Sequence, residues 1–236
     1  MQLFYNSNIS IDNTTFNFDK DESRHIVKVL RKKIGDQLHI TNGKGWLFIA
    51  QLTLADTKHC SVNIISSSLQ PKRNFNLHLA VAPTKMNDRY EWFLEKATEI
   101  GIEEITPIIC DNSERKVVKL ERFEKIIQSA MKQSLQCYLP KLNPPISFKN
   151  FVNQENDDHK FIAHCEATDK KSLKLQLKIK QNYTILIGPE GDFSNKEIGL
   201  ALSKSYIPVT LGETRLRTET AALVACHSVA LMNERS

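Results

Sequence analysis

From residue 77 onward the sequence alternates short apolar runs with amphipathic stretches, and this alternation narrows the fold more than any other feature. Runs at 77–82 (LHLAVA), 105–109 (ITPII), 160–164 (KFIAH), 183–187 (YTILI) and 207–211 (IPVTL) have the length and composition of buried strands. Between the first two, residues 88–100 put Tyr90, Phe93, Leu94, Ala97 and Ile100 on one helical face, with Gly101 as the stop. Residues 120–138 repeat that spacing through Phe123, Ile126, Ile127, Ala130 and Met131, bounded by Pro140, Pro144 and Pro145. Pro107 predicts that its strand lies at an edge or ends early. Ser194, Asn195, Lys196 and Glu197 form a capping box opening a helix to Leu202, and residues 220–232 make the last helix. Strands alternating with helices specify an α/β domain with a largely parallel sheet.

The preceding segment has a different pattern. Residues 21–33 (DESRHIVKVLRKK) place Ile26, Val27, Leu30 and Ile34 at helical spacing, with Asp21 as N-cap and Gly35 as stop. Strands follow at 37–41, 45–53 and 61–66, the first two joined at Asn42-Gly43, a strong hairpin signal. Short strands at this spacing predict a small barrel over residues 1–70. The polar run 70–76 (QPKRNFN) marks the boundary with a second domain at 77–236. Arg24, Lys28 and Arg31 share one face of the expected helix, and Lys32 and Lys33 extend it. Such a stripe is either a solvated face or a contact for a phosphate backbone.

In open α/β sheets ligands bind beyond the carboxyl ends of strands, and two loops there carry unusual chemistry. The first, 187–194 (IGPEGDFS), has Gly188 and Gly191 for close backbone approach and Pro189 to stiffen the turn. It matches neither the Walker loop nor GxGxxG, and Glu190 and Asp192 would repel a phosphate. Either the glycines make tight turns and nothing more, or the loop receives a ligand without a phosphate or with a positive charge. The second loop lies within 211–223 (LGETRLRTETAAL) and holds Glu213, Arg215, Arg217 and Glu219. These form structural ion pairs, or an arginine stabilises developing negative charge while a glutamate orients or accepts a proton. His164, Cys165 and Glu166 also end a strand; with no second ligand pair at metal spacing, packing or a cofactor contact is the expectation.

Composition excludes some classes. The cysteines (Cys60, Cys110, Cys137, Cys165, Cys226) are odd in number and never in CxxC, which favours reduced, buried thiols in a cytoplasm over a disulfide framework or zinc site. No apolar run approaches a membrane span, and the N-terminus lacks a signal-peptide pattern. The net charge of +5 is compatible with a polyanionic partner without requiring one.

The segments LIGPEGDFSNKEI (186–198) and LGETRLRTETAAL together resemble the ribosomal RNA small subunit methyltransferase E family, of the SPOUT class of knotted methyltransferases. The resemblance extends to HIVKVLRKKIGD (25–36), KMNDRYEWFLEKATEIG (85–101) and ITPIICDNSER (105–115), nearly the whole chain. It implies a PUA-like β-barrel that helps bind RNA, followed by an α/β methyltransferase domain with a trefoil knot, a rare exception to unknotted connectivity. It further implies a cytoplasmic homodimer without membrane or metal. The implied activity is methyl transfer from S-adenosylmethionine to N3 of a uridine in 16S ribosomal RNA. On this resemblance Leu186, Gly188, Gly191, Leu211, Gly212 and Leu216 would hold the cofactor. Arg217 and Glu219 would be catalytic, as charge stabiliser and as base or orienter. Arg24, Arg31, Lys85 and Arg115 would contact RNA. Two alternatives compete: a SPOUT enzyme acting on another RNA, such as a ribose 2′-hydroxyl, and a non-catalytic RNA-binding assembly factor. The sequence departs from the family in two places. KQSLQCY (132–138) stands where an EQSxR-like segment is common, and Asp192 stands where glycine is common.

Overall fold

A computed structural model describes residues 2–166 and 169–234. The chain divides into two compact units, one comprising residues up to Lys72 together with Met131–Leu139, the other Arg73–Ala130 together with residues from Pro140 onward.

The first unit is a five-stranded sheet in the order β1-β3-β4-β5-β2. Its strands are β1 (Leu3–Tyr5), β2 (Thr15–Asn17), β3 (Gln37–Thr41), β4 (Trp46–Ala55) and β5 (Cys60–Leu69). Its two end strands are brought together by side chains: Phe4 of β1 meets Phe18, just past β2, edge to face with ring centroids 5.5 Å apart. Both rings belong to one buried cluster with Ile26, Ile40, Phe48 and Val62. The Asn42-Gly43 turn joins β3 to β4 as expected, with Asn42 Oδ1 accepting from the Lys44 and Trp46 amides at 2.9 and 3.3 Å. The sequence did not reveal β1 and β2, because three residues are too few for an alternation to register.

The expected helix at 21–33 is shorter and starts earlier. Asp19, not Asp21, caps α1 (Lys20–Arg24), its side chain accepting from the Glu22 amide. The helix loosens into a π turn at His25–Val29, where the Leu30 amide bonds His25 O at 3.0 Å. It stops before Arg31, which has φ +54°, so Arg31 is not on a helical face with Arg24. Ile26 is buried, but Ile34, expected at the core, is 66% exposed.

The second unit holds an eight-stranded, all-parallel sheet ordered β11-β13-β10-β12-β6-β7-β8, with β9 also pairing β7. Its strands are β6 (Leu77–Val81), β7 (Glu104–Ile109), β8 (Lys141–Leu142), β9 (Ile146–Ser147), β10 (His159–Ala163), β11 (Lys171–Ser172), β12 (Tyr183–Ile187) and β13 (Ile207–Thr210). β6 and β12 are buried at every position, as parallel strands covered on both faces must be. The helices are α2 (Asn87–Ile100), α3 (Leu120–Gln133), α4 (Phe148–Val152), α5 (Leu173–Gln176), α6 (Asn195–Ser203) and α7 (Thr218–Met232). Gly101 ends α2 at φ +99°, and the Ser194–Glu197 capping box opens α6.

Three expectations are corrected here. Pro107 neither lies at an edge nor ends its strand: β7 runs on to Ile109 between β6 and its two short partners. Pro107 falls between the stretches paired by β8 (to Ile105) and β9 (from Ile108), where a missing N–H costs no ladder bond on that side. The helix expected to reach 138 stops at Gln133, because Leu135 takes φ +59°, and Met131–Leu139 joins the first unit. There Lys132 Nζ lies 3.0 Å from Glu22 Oε1, and the Gly45 amide donates to Cys137 O at 2.8 Å. The last helix opens at Thr218, two residues early, with Arg217 at its N-cap.

Candidate functional site

Strands β13, β10 and β12 are consecutive neighbours in the sheet, so their carboxyl ends lie side by side. The loops leaving them surround a cavity of about 560 Å³, within the size range of small-ligand sites. From β12 come Gly188, Pro189, Glu190 and Asp192; from β13, residues 211–217; from β10, His164 and Cys165. The sequence singled out the first two loops as a site and flagged His164 and Cys165 as packing or a cofactor contact. The third is contributed by β10, which lies between the other two strands.

Gly188 is tightly packed: a Cβ there would sit 3.1 Å from the Phe193 ring, which would have to shift by a few tenths of an ångström. Gly212 is required by conformation, at φ +153°. Asp192 occupies the left-handed region at φ +62°, which aspartate tolerates better than most residues. Its carboxylate offsets the strain: Oδ2 accepts from the Cys165 amide at 2.7 Å and Oδ1 from the Phe193 amide at 2.8 Å. The departure from glycine thus ties the β12 loop to the β10 loop. Asn112 Nδ2 reinforces the turn from outside, donating to Gly191 O and Asp192 O, each at 3.1 Å. Glu190 Oε1 accepts from the Lys85 amide at 2.9 Å. Thr218, which the sequence did not single out, donates its hydroxyl to Gly188 O at 3.0 Å and joins the β13 loop to the β12 loop.

The six residues expected at a cofactor divide. Gly188, Leu211, Gly212 and Leu216 line the cavity. Leu186 is fully buried in the core behind it, and Gly191 is exposed on the turn against Asn112. The catalytic pair also separates. Arg217 lines the cavity and is exposed; among the described residues no ion pair or hydrogen bond occupies its guanidinium. Glu219 is not part of the wall: it is 7% exposed, with Oε1 3.9 Å from Arg89 Nε on α2 and Oε2 without a partner among the described residues. Arg24 and Arg31 are exposed on the first unit. In the second unit Lys85 pairs with Glu114 at 2.8 Å, and Arg115 donates to the carbonyls of Thr84 and Lys85 at 2.8–3.3 Å. Arg115 therefore already holds the loop after β6.

The wall suits S-adenosylmethionine chemically. Glu190 and Asp192 offer negative charge to a cationic sulfonium, and Arg215 offers positive charge to a carboxylate. His164, 7% exposed, brings two ring nitrogens that have no partner among the described residues. Among the described residues no cluster of three metal-ligating side chains is found, and no helix is long and apolar enough to cross a membrane.

Comparison with known proteins agrees with this architecture. The RNA methyltransferase domain family matches residues 71–230, and the RNA methyltransferase PUA domain family matches residues 18–65. The class is therefore an RNA methyltransferase with a PUA domain. Ribosomal RNA small subunit methyltransferase E of Buchnera aphidicola is 33% identical over 232 residues, covering 94% of this chain and 90% of that one. A probable rRNA methyltransferase from Porphyromonas gingivalis superposes with a TM-score of 0.92 at 39% identity, covering 99% and 98% of the two chains. Ribosomal RNA small subunit methyltransferase E from Neisseria gonorrhoeae, solved bound to S-adenosylmethionine, gives 0.87 at 26% identity, with 99% and 98% covered. The chain belongs to the ribosomal RNA small subunit methyltransferase E family.

Proposed function

We propose that this protein transfers a methyl group from S-adenosylmethionine to N3 of a uridine in the 16S RNA of the small ribosomal subunit. The observation that carries the proposal is the three-loop cavity with the unengaged guanidinium of Arg217 on its wall. S-adenosylmethionine, when bound, supplies a methyl group on a sulfonium, open to direct displacement by a nucleophile. The chain's part is to align the nucleophile and stabilise its charge. Gly188, Leu211, Gly212 and Leu216 hold the cofactor, while Glu190 and Asp192 present carboxylates to its positive charge. When the uracil imide loses its proton, negative charge spreads to the flanking carbonyl oxygens, and Arg217 stabilises it. Glu219, away from the wall, acts as a positioning residue at the start of α7 rather than as the base.

Arg24 and Arg31 on the first unit and Lys85 on the second contact the RNA backbone in this proposal. Arg115 supports Lys85 from behind. The second unit carries the trefoil knot, and the protein works as a cytoplasmic homodimer; light scattering on the purified protein tests the dimer. The deciding assay incubates purified small ribosomal subunits with labelled S-adenosylmethionine and identifies the modified nucleotide by mass spectrometry. A methyl on N3 of uridine is the expected product. A methyl on a ribose would overturn the target, and folded protein that does not bind S-adenosylmethionine would overturn the enzyme assignment.

A further inference from the structure

His164 directly follows β10 and lines the cavity between the other two loops. It is 7% exposed, yet among the described residues neither Nδ1 nor Nε2 has a hydrogen-bond partner. Buried polar side chains are almost always paired, and one left unpaired costs stability until something pairs it.

The surrounding backbone is held firmly. Lys170 Nζ donates to His164 O at 2.9 Å and to Glu166 O at 2.8 Å, and the next amide, Cys165 N–H, donates to Asp192 Oδ2. The loop carrying the ring is thus held by main-chain bonds on both sides, while both ring nitrogens, buried beside the cavity, stay unpaired among the described residues. Burial, with the Lys170 ammonium second, holds the imidazole below its ordinary pKa, against the opposing pull of Asp192 and Glu166. A neutral imidazole carries one donor and one acceptor, so it matches groups that themselves donate and accept. In a sulfonium nucleoside those groups are the ribose hydroxyls and the amidine edge of the adenine. The amino-acid end is ionic and better met by Arg215, Glu190 and Asp192.

Resting on the cofactor assignment above, we propose that His164 is a ligand-binding residue that hydrogen-bonds the nucleoside part of S-adenosylmethionine. The test measures affinities of wild type, His164→Phe and His164→Asn for S-adenosylmethionine, adenosine and methionine by calorimetry, with thermal melts of each free protein. His164→Phe should weaken S-adenosylmethionine and adenosine about tenfold or more, the effect of one lost hydrogen bond. Methionine binding should not change, and free His164→Phe should melt no lower than wild type. His164→Asn, which keeps a donor and an acceptor, should recover part of the affinity. In wild type, the ring ¹⁵N resonances of His164 should shift on adding S-adenosylmethionine. Affinity of His164→Phe within twofold of a wild type that binds, or unmoved ring resonances, would overturn the proposal while sparing the function. Wild type that fails to bind S-adenosylmethionine would overturn both.

Discussion

Thr218 Oγ1 donates a 3.0 Å hydrogen bond to the carbonyl oxygen of Gly188, and both groups are buried. One side chain thereby fixes the spacing of two loops that come from strands separated in the sheet by β10. Thr218→Val keeps the shape but leaves the Gly188 carbonyl without this donor, a loss of about 1–3 kcal/mol. Affinity for S-adenosylmethionine should fall about tenfold, while Thr218→Ser should bind as wild type. Calorimetry and thermal melts on the three proteins decide this; equal affinities would mean that the bond does not shape the site.

Asp192 separates backbone strain from side-chain bonding. Asp192→Ala keeps a side chain at φ +62° and removes the bonds to the Cys165 and Phe193 amides. Asp192→Gly removes the same bonds but relieves a strain of about 1–2 kcal/mol. The glycine variant should therefore melt above the alanine variant and below wild type. If glycine melts at or above wild type, the carboxylate contributes nothing to holding the β10 loop.

The longer strands and helices of the second unit were legible because parallel strands buried on both faces write continuous apolar runs, and because Gly101 and the Ser194–Glu197 box punctuate the helices; the two-residue strands β8, β9 and β11 and the short helices α4 and α5 were not, being too short to show a period. The first helix was misread because a helical repeat of apolar residues does not announce a π turn or the left-handed Arg31. Within the site, the strand-end loops were visible through glycines beside charges. Thr218 was not, since a threonine in an apolar helix start has no sequence signature until its acceptor is known. Glu219 was misplaced for a related reason: its spacing from Arg217 is fixed by sequence, but α7 begins between them and turns the carboxylate toward Arg89.

Lys132 pairs with Glu22 at 3.0 Å. Both side chains are partly exposed, so the pair itself is worth no more than about 1 kcal/mol. Lys132→Glu replaces attraction with repulsion and should lower the melting temperature by a few degrees, at about 2–4 °C per kcal/mol for a chain this size. The swap Glu22→Lys with Lys132→Glu should restore most of the loss. No recovery in the double variant would assign the effect to Lys132 alone.

Acidification should destabilise the protein from about pH 6.5 downward. His78 and His164 are both held below the ordinary histidine pKa, each chiefly by burial. Above pH 6.5 neither the folded nor the unfolded chain protonates them, and stability is unaffected. Below it the unfolded chain takes up protons that the folded chain refuses, so stability falls until the lowered folded values are passed. Glu104 and Asp158 oppose the shift at His78 and Lys141 adds to it; at His164, Lys170 adds and Asp192 and Glu166 oppose. Melting curves from pH 8 to pH 5 should be flat and then fall, and His164→Phe should fall less steeply. A melting temperature that rises over that interval would contradict both assignments.

Arg217 and Glu219 are two residues apart, and their different surroundings predict different kinetics. Arg217 lines the cavity with its guanidinium unengaged, so Arg217→Ala should lower the methylation rate about 10²–10³-fold, as losing one donor to a developing anion does. Glu219 faces Arg89 behind the wall. Glu219→Gln keeps its volume and should cost no more than about tenfold, well short of the 10²–10⁴ expected for a removed base. Single-turnover methylation at saturating S-adenosylmethionine compares them without interference from cofactor binding. If the glutamine variant loses as much as the alanine variant, Glu219 reaches the substrate in the working complex and the proton goes to its carboxylate.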